Sequence, residues 1–89
     1  MFTKDLPIIN RKGLHARASA KFVQLAELYD AEITVSRSGE TAGGTSIMAL
    51  LTLAAGQGTS VTVTTAGPDA EVAMTAIETL LANRFGEDE

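Results

Sequence analysis

Two short stretches of the chain alternate apolar and polar residues with a period of two, Ile33-Thr34-Val35-Ser36 and Val61-Thr62-Val63-Thr64. That is the pattern of a strand with one face on a core and the other in water. Around them the period changes. Ala18, Phe22, Leu25 and Tyr29 recur at i, i+4, i+7 and i+11, and Val72, Ala73, Ala76, Ile77, Leu80 and Leu81 form a second apolar helical face. A chain of 89 residues that switches period this often has room for one small domain, and helices interleaved with strands point to helices packed on a sheet.

The remaining elements follow from punctuation. Leu6-Pro7-Ile8-Ile9 reads as a first strand, placed at a sheet edge or near its own start because Pro7 cannot donate to a ladder. Asn10-Arg11-Lys12-Gly13 is a loop, with Leu14-His15-Ala16 leading into a helix that ends at Asp30-Ala31. Ser38-Gly39 turns the chain into a short return strand, Glu40-Thr41-Ala42. Ser46 is a favoured N-cap for a short helix from Ile47, which Gly56-Gln57-Gly58 stops. Asp69 and Glu71 fall in the first turn of the last helix and Arg84 near its end, each favourable to the helix dipole. The order is β-α-β-β-α-β-α, an α+β two-layer sandwich with a mostly antiparallel sheet, in one domain over residues 1–86. Residues 87–89 read as a frayed acidic tail.

Composition narrows the function. There is no Cys, and the single His has no cluster of ligands around it, so no metal site is expected. The net charge of −4 and an aromatic content of only 4% argue against a nucleic-acid binder, which needs phosphate-facing cations and rings on which bases stack. No apolar run is long enough to span a bilayer, and Met1–Asp5 lacks the pattern of a secretory signal, which leaves the cytoplasm as the expected compartment.

The distribution of charge says more than its total. Arg11, Lys12, Arg17 and Lys21 are four of the seven basic residues, with no acid between Lys12 and Lys21, and His15 lies among them. At a helix start the free N–H groups, the dipole and the cations together favour an anion. The same surroundings disfavour a second positive charge on the imidazole, and a neutral ring nitrogen is a nucleophile. His15 is therefore a candidate phosphoryl acceptor, with Arg17 placed to bind an equatorial oxygen. Set against this, a lone His at a helix start is commonly a cap, Ser46 an ordinary N-cap, and Arg17 and Lys21 a solvated helix face.

The segment Asn10-Arg11-Lys12-Gly13-Leu14-His15-Ala16-Arg17 resembles the active-site segment of HPr, the histidine-containing phosphocarrier of the bacterial phosphotransferase system. Ser46-Ile47-Met48, with Leu53 and Gly56-Gln57-Gly58, is similar to that family's second signature, and the likeness covers almost the whole chain. The resemblance implies an open-faced sandwich with strand order 1-4-2-3 and three helices on one face. It implies that His15 accepts a phosphoryl group on Nδ1 from Enzyme I, ultimately from phosphoenolpyruvate, and passes it to a IIA-type protein. Arg17 and the amides of Ala16, Arg17 and Ala18 would stabilise it. Ser46 matches the position modified by HPr kinase/phosphorylase, and Ile47, Met48, Leu51, Lys21 and Gln24 would form the partner surface, with Ile47 and Met48 exposed. A monomer with no cofactor is expected. Three departures stand out: Ala18 where the family commonly has Pro, Thr45 where Lys often precedes the serine, and Gln24, Glu27 and Ala49 in a less basic docking face. Arg17–Phe22 and Leu53–Gly56 look more like the nitrogen-related branch, whose members often serve regulation. A non-catalytic regulatory domain, signalling through Ser46 with His15 only a cap, is the alternative reading.

Overall fold

The computed structural model describes all residues from Met1 to Glu89. Its elements are β1 (Phe2–Pro7), α1 (Ala16–Ala26), β2 (Glu32–Arg37), β3 (Glu40–Gly43), α2 (Ile47–Thr52), β4 (Ser60–Ala66) and α3 (Ala70–Ala82), followed by a 3₁₀ turn at Arg84–Gly86. The four strands form one antiparallel sheet in the order β1-β4-β2-β3, as the family resemblance implies.

The topology follows from three local devices. Ser38 and Gly39 both have positive φ, 52° and 84°, so they form a two-residue hairpin turn whose twist matches the strands it joins, and Arg37 pairs with Glu40. β1 and β2 both run antiparallel to β4, so α1 carries the chain between two parallel strands and leaves a slot that β4 fills. α2 does the same between β3 and β4, with β2 in the slot. Ile33, Val35, Ala42, Val61 and Val63 turn one face of the sheet onto a core that contains Phe22, Leu50, Leu53, Ala73, Ile77, Leu81 and Phe85. Thr3, Thr34, Thr62 and Thr64 lie on the other face, where Thr62 donates to Asp5 at 2.6 Å.

The structure corrects several details of the sequence reading. The first strand is Phe2–Pro7, not Leu6–Ile9; it is an edge strand, and Pro7 closes it. α1 ends at Ala26, because Leu28 and Tyr29 bond back three residues, to Leu25 and Ala26. Tyr29 and Leu25 are only partly buried, and Ser19, Val23 and Ala26 complete the buried stripe. On α3, Val72 is 54% exposed, and Ala70 and Met74 take core positions instead. Asp69 precedes the first turn of α3, which holds Glu71 alone as its acid, and its side chain makes no cap bond to the helix. Its carboxylate accepts from the Asp30 amide at 2.7 Å and its own amide returns the bond to Asp30 O at 3.0 Å, tying the two turns together. Arg84 lies beyond the end of α3, in the 3₁₀ turn.

Two backbone constraints bear on the site. Gly13 has φ +66°, and a Cβ there would come within 2.8 Å of Gly56 Cα, so the loop before α1 lies directly on Ala55-Gly56. Leu14 N locks the contact by donating to Ala55 O at 2.8 Å. Ala54, one residue earlier, holds φ +51° with an exposed side chain that gains nothing from burial. A left-handed conformation costs a residue with a Cβ roughly 1–2 kcal/mol. Ala54→Gly is therefore expected to raise unfolding free energy by about 1 kcal/mol, measured as a higher urea midpoint at unchanged slope. A lower midpoint would show that this backbone is not strained.

Candidate functional site

His15 is the N-cap of α1. Its φ of −80° and ψ of −176° are extended, and its own ring does the capping: Nδ1 accepts from the Arg17 amide at 3.3 Å. The first helical bond, Ser19 N to His15 O at 2.8 Å, begins one turn later, so the Ala16 and Ala18 amides have no carbonyl partner within the helix. Helix α1 starts where expected without a proline at position 18, and Ala18 is fully buried. His15 thus faces amide donors at the positive end of a helix, as expected, and its side chain is 27% accessible.

The second side of the ring departs from expectation. Nε2 bonds to Glu87 Oε2, so the carboxyl end of the chain is packed against the imidazole instead of fraying into water. A hook after α3 brings it there. Arg84 and Phe85 both adopt positive φ, 55° and 54°, which drives Phe85 into the core to 1% exposure and turns the chain back. Burying that ring contributes up to about 3 kcal/mol, of the same order as the roughly 1–2 kcal/mol of backbone strain at each of the two residues. Lys21 Nζ clamps the hook by donating to Phe85 O at 2.7 Å. Arg11 ties down the last residue twice, amide to Glu89 O at 2.9 Å and guanidinium to Glu89 Oε2 at 2.9 Å.

Asn10 joins the loop to the hook. It is fully buried, and its Nδ2 donates both to Gly13 O at 2.8 Å and to Glu87 Oε1 at 2.9 Å. Two acceptors at Nδ2 fix which way the amide faces, and they leave Oδ1 as the one buried side-chain polar atom without a partner. The Asn10 bond is the largest influence holding the Glu87 carboxyl below the usual carboxylate range. Burial opposes it, and the His15 hydrogen bond and the charges of His15 and Lys12 add to it.

Arg11, Lys12, Arg17 and Lys21 do share one open bowl of about 420 Å³ with His15, but Glu87 and Glu89 line it too. The expected island of positive charge is therefore partly answered from within the chain. The Arg17 side chain is exposed and makes no ion pair, which leaves its guanidinium free to take an anion. Lys21, placed by sequence on the partner face, is half-buried and committed to the hook. Gln24 is exposed on α1. On α2, which packs beside α1, Ile47 is 38% and Met48 72% exposed, Leu51 is half-buried, and Leu50 supplies the core contact. Ser46 caps α2 by accepting from the Ala49 amide at 3.2 Å, and it is exposed.

Sequence reasoning missed Glu87 and the bridging role of Asn10. Asn10 carried a turn signal, since Asn favours such loops, but nothing local indicates a partner 77 residues away. No group of His, Cys, Asp or Glu has the arrangement of a metal site.

A histidine presented at a helix N-terminus, on an open-faced sandwich of strand order 1-4-2-3, is the arrangement that the resemblance to histidine-containing phosphocarriers implies. Comparison with known proteins agrees. A family model described as the PTS HPr component phosphorylation site matches residues 2–83. The phosphocarrier protein HPr of Cupriavidus necator is 51% identical over 89 residues, covering all of both chains, and that of Pseudomonas aeruginosa is 45% identical over 86 residues, covering 96% of each. Among solved structures, HPr-C-His from Thermoanaerobacter tengcongensis superposes with a TM-score of 0.95 at 35% identity over the full length of both chains. The phosphocarrier HPr of Bacillus anthracis gives 0.86 at 38% identity, covering 90% of this chain and 95% of its own. The chain belongs to the HPr family of phosphotransferase-system phosphocarriers.

The Glu87 contacts carry a pH consequence. A carboxyl whose folded form titrates below its unfolded form stabilises the fold fully above the unfolded pKa, and loses that contribution as pH falls through the folded one. Glu87→Gln is expected to flatten the fall in stability on the acid side of the carboxylate range relative to the parent protein. Parallel curves for the two in denaturant titrations would contradict the assignment.

Proposed function

We propose that this protein accepts a phosphoryl group on His15 Nδ1 from phosphorylated Enzyme I, the phosphate coming ultimately from phosphoenolpyruvate, and delivers it to a IIA-type protein in the cytoplasm. The observation that carries the reading is the geometry at Nδ1. The nitrogen faces the free end of α1, where the Arg17 amide already points at it and the Ala16 and Ala18 amides lack helical partners. A phosphoryl group there would meet the dipoles of the helix start, the Arg17 amide turning to its oxygens once Nδ1 is taken, and the unpaired guanidinium of Arg17 supplies a planar cation for them. Phosphoryl transfer asks for little beyond positioning and charge stabilisation, which this site offers without a metal. No helix is long and apolar enough to cross a membrane.

Incubation with Enzyme I and phosphoenolpyruvate is expected to add one acid-labile phosphoryl group, mapped to His15 by mass spectrometry. His15→Ala should abolish it, and Arg17→Ala should slow it by about 10- to 100-fold. Phosphate that survives in His15→Ala would refute the reading.

The partner face is the exposed part of α1 and α2, with Ile47 and Met48 as apolar contacts beside Gln24. Ser46 lies at its edge, at the N-terminus of α2, where added negative charge suits the helix dipole. A phosphate on Ser46, about −1.5 to −2 in charge, would therefore regulate by altering the face and not by unfolding the helix. Ser46→Asp is expected to keep the parent thermal midpoint within a few degrees while weakening binding to an acidic partner several-fold, read by calorimetry. Unfolding of the variant would overturn this account. The sequence segments that resemble the nitrogen-related branch favour a regulatory pathway over sugar uptake.

A further inference from the structure

One ring nitrogen of His15 faces a group that can only donate and the other faces a group that can only accept. The Arg17 amide has a hydrogen and no lone pair to offer, so Nδ1 must accept. Glu87, ionised near neutral pH, has lone pairs and no hydrogen, so Nε2 must donate. A hydrogen on Nδ1 would confront the amide hydrogen of Arg17, and a bare Nε2 would confront a carboxylate. Asn10 makes the arrangement rigid. Its buried amide uses its Nδ2 hydrogens on Gly13 O and Glu87 Oε1, which holds the carboxylate so that Oε2 points at the ring.

We propose that Glu87, held by Asn10, is a positioning residue for His15: it fixes the Nε2–H tautomer and so keeps the lone pair on Nδ1, where the phosphoryl group is accepted. The consequence for transfer rests on the phosphocarrier reading above; the tautomer itself does not. The same contact serves the chemistry as it proceeds. The Nδ1 lone pair gives up the Arg17 amide hydrogen and forms the bond to phosphorus while the bond from phosphorus to the donor breaks, and that electron pair stays with the donor. The ring keeps its Nε2 hydrogen and gains a positive charge, which the Glu87 carboxylate faces directly. No proton has to move. On return of the phosphoryl group the pair goes back to Nδ1 and the charge on the ring is lost.

Because the chain has one histidine, its ring nitrogens are unambiguous in a ¹⁵N spectrum. In the unphosphorylated full-length protein, at a pH where the ring is neutral, Nε2 is expected at a protonated shift and Nδ1 at a bare-nitrogen shift. Glu87→Ala is expected to move both signals toward the average of the two tautomers and to slow phosphorylation of His15 by Enzyme I about tenfold, the usual order for losing a group that orients a histidine. Asp88→Ala removes the same charge from a residue that makes no side-chain hydrogen bond or ion pair. It should leave the ring signals in place and so separate the hydrogen bond from the field of the tail. An Nδ1–H tautomer in the parent protein overturns the proposal even if Glu87→Ala fails to fold. So do Glu87→Ala ring signals that match the parent's, or a transfer rate that does not change in that variant. A parent protein that shows the Nε2–H tautomer yet takes no phosphate from Enzyme I would instead refute the phosphocarrier reading and leave the positioning role standing.

Discussion

The amide hydrogen of Arg17 points at Nδ1 of His15, and most of the molecule is arranged so that it can. The bond exists because the histidine is the N-cap of its own helix, which places an imidazole where a serine or aspartate usually sits. Under the proposed function, that substitution of cap chemistry makes a structural position the phosphoryl acceptor. A capping hydroxyl or carboxylate would satisfy the helix and stop there. An imidazole satisfies it with a nitrogen lone pair that can also attack phosphorus.

The ring is held there by its own loop and by two distant parts of the chain. From below, Gly13 presses its backbone onto Ala55-Gly56, an approach that admits no side chain, and Leu14 hydrogen-bonds to Ala55. From the side, Asn10 closes the loop onto Gly13. From the C-terminus, burial of Phe85 drives a left-handed turn that brings Glu87 to the ring and Glu89 to Arg11. The strain at Arg84 and Phe85 is local, while the burial that offsets it is tertiary. The geometry of the site thus depends on the core, and the acidic tail packs against it.

Periodicity is a local property, and what it governs was readable in advance. The alternation at Ile33–Ser36 and Val61–Thr64 and the face containing Ala18 and Phe22 marked elements that the structure contains, and Ser38-Gly39 marked the hairpin. The strand order came from family likeness, since nothing in the pattern says which strand fills which slot. Tyr29 fits the helical repeat, yet α1 unwinds at Glu27 and leaves it in a turn. Asp69 reads as a first-turn acid of the last helix, yet it precedes that helix and its carboxylate serves Asp30. Glu87 looks like part of a solvated acidic run, yet its partners are residues 10 and 15. For Asp69 and Glu87 a contact between residues far apart in sequence outweighs a sound local preference. At the site, the placement of His15 and Arg17 at the start of α1 was readable because it is set by local sequence. The carboxylate on the far side of the ring was not.

The central claim is that Nδ1 carries the phosphoryl group while Nε2 keeps its hydrogen. Phosphorylated protein labelled with ¹⁵N in its single histidine tests it through the coupling between phosphorus and nitrogen. The account predicts coupling to Nδ1 and a protonated shift at Nε2. Phosphorus coupled to Nε2, or to neither ring nitrogen, would contradict it.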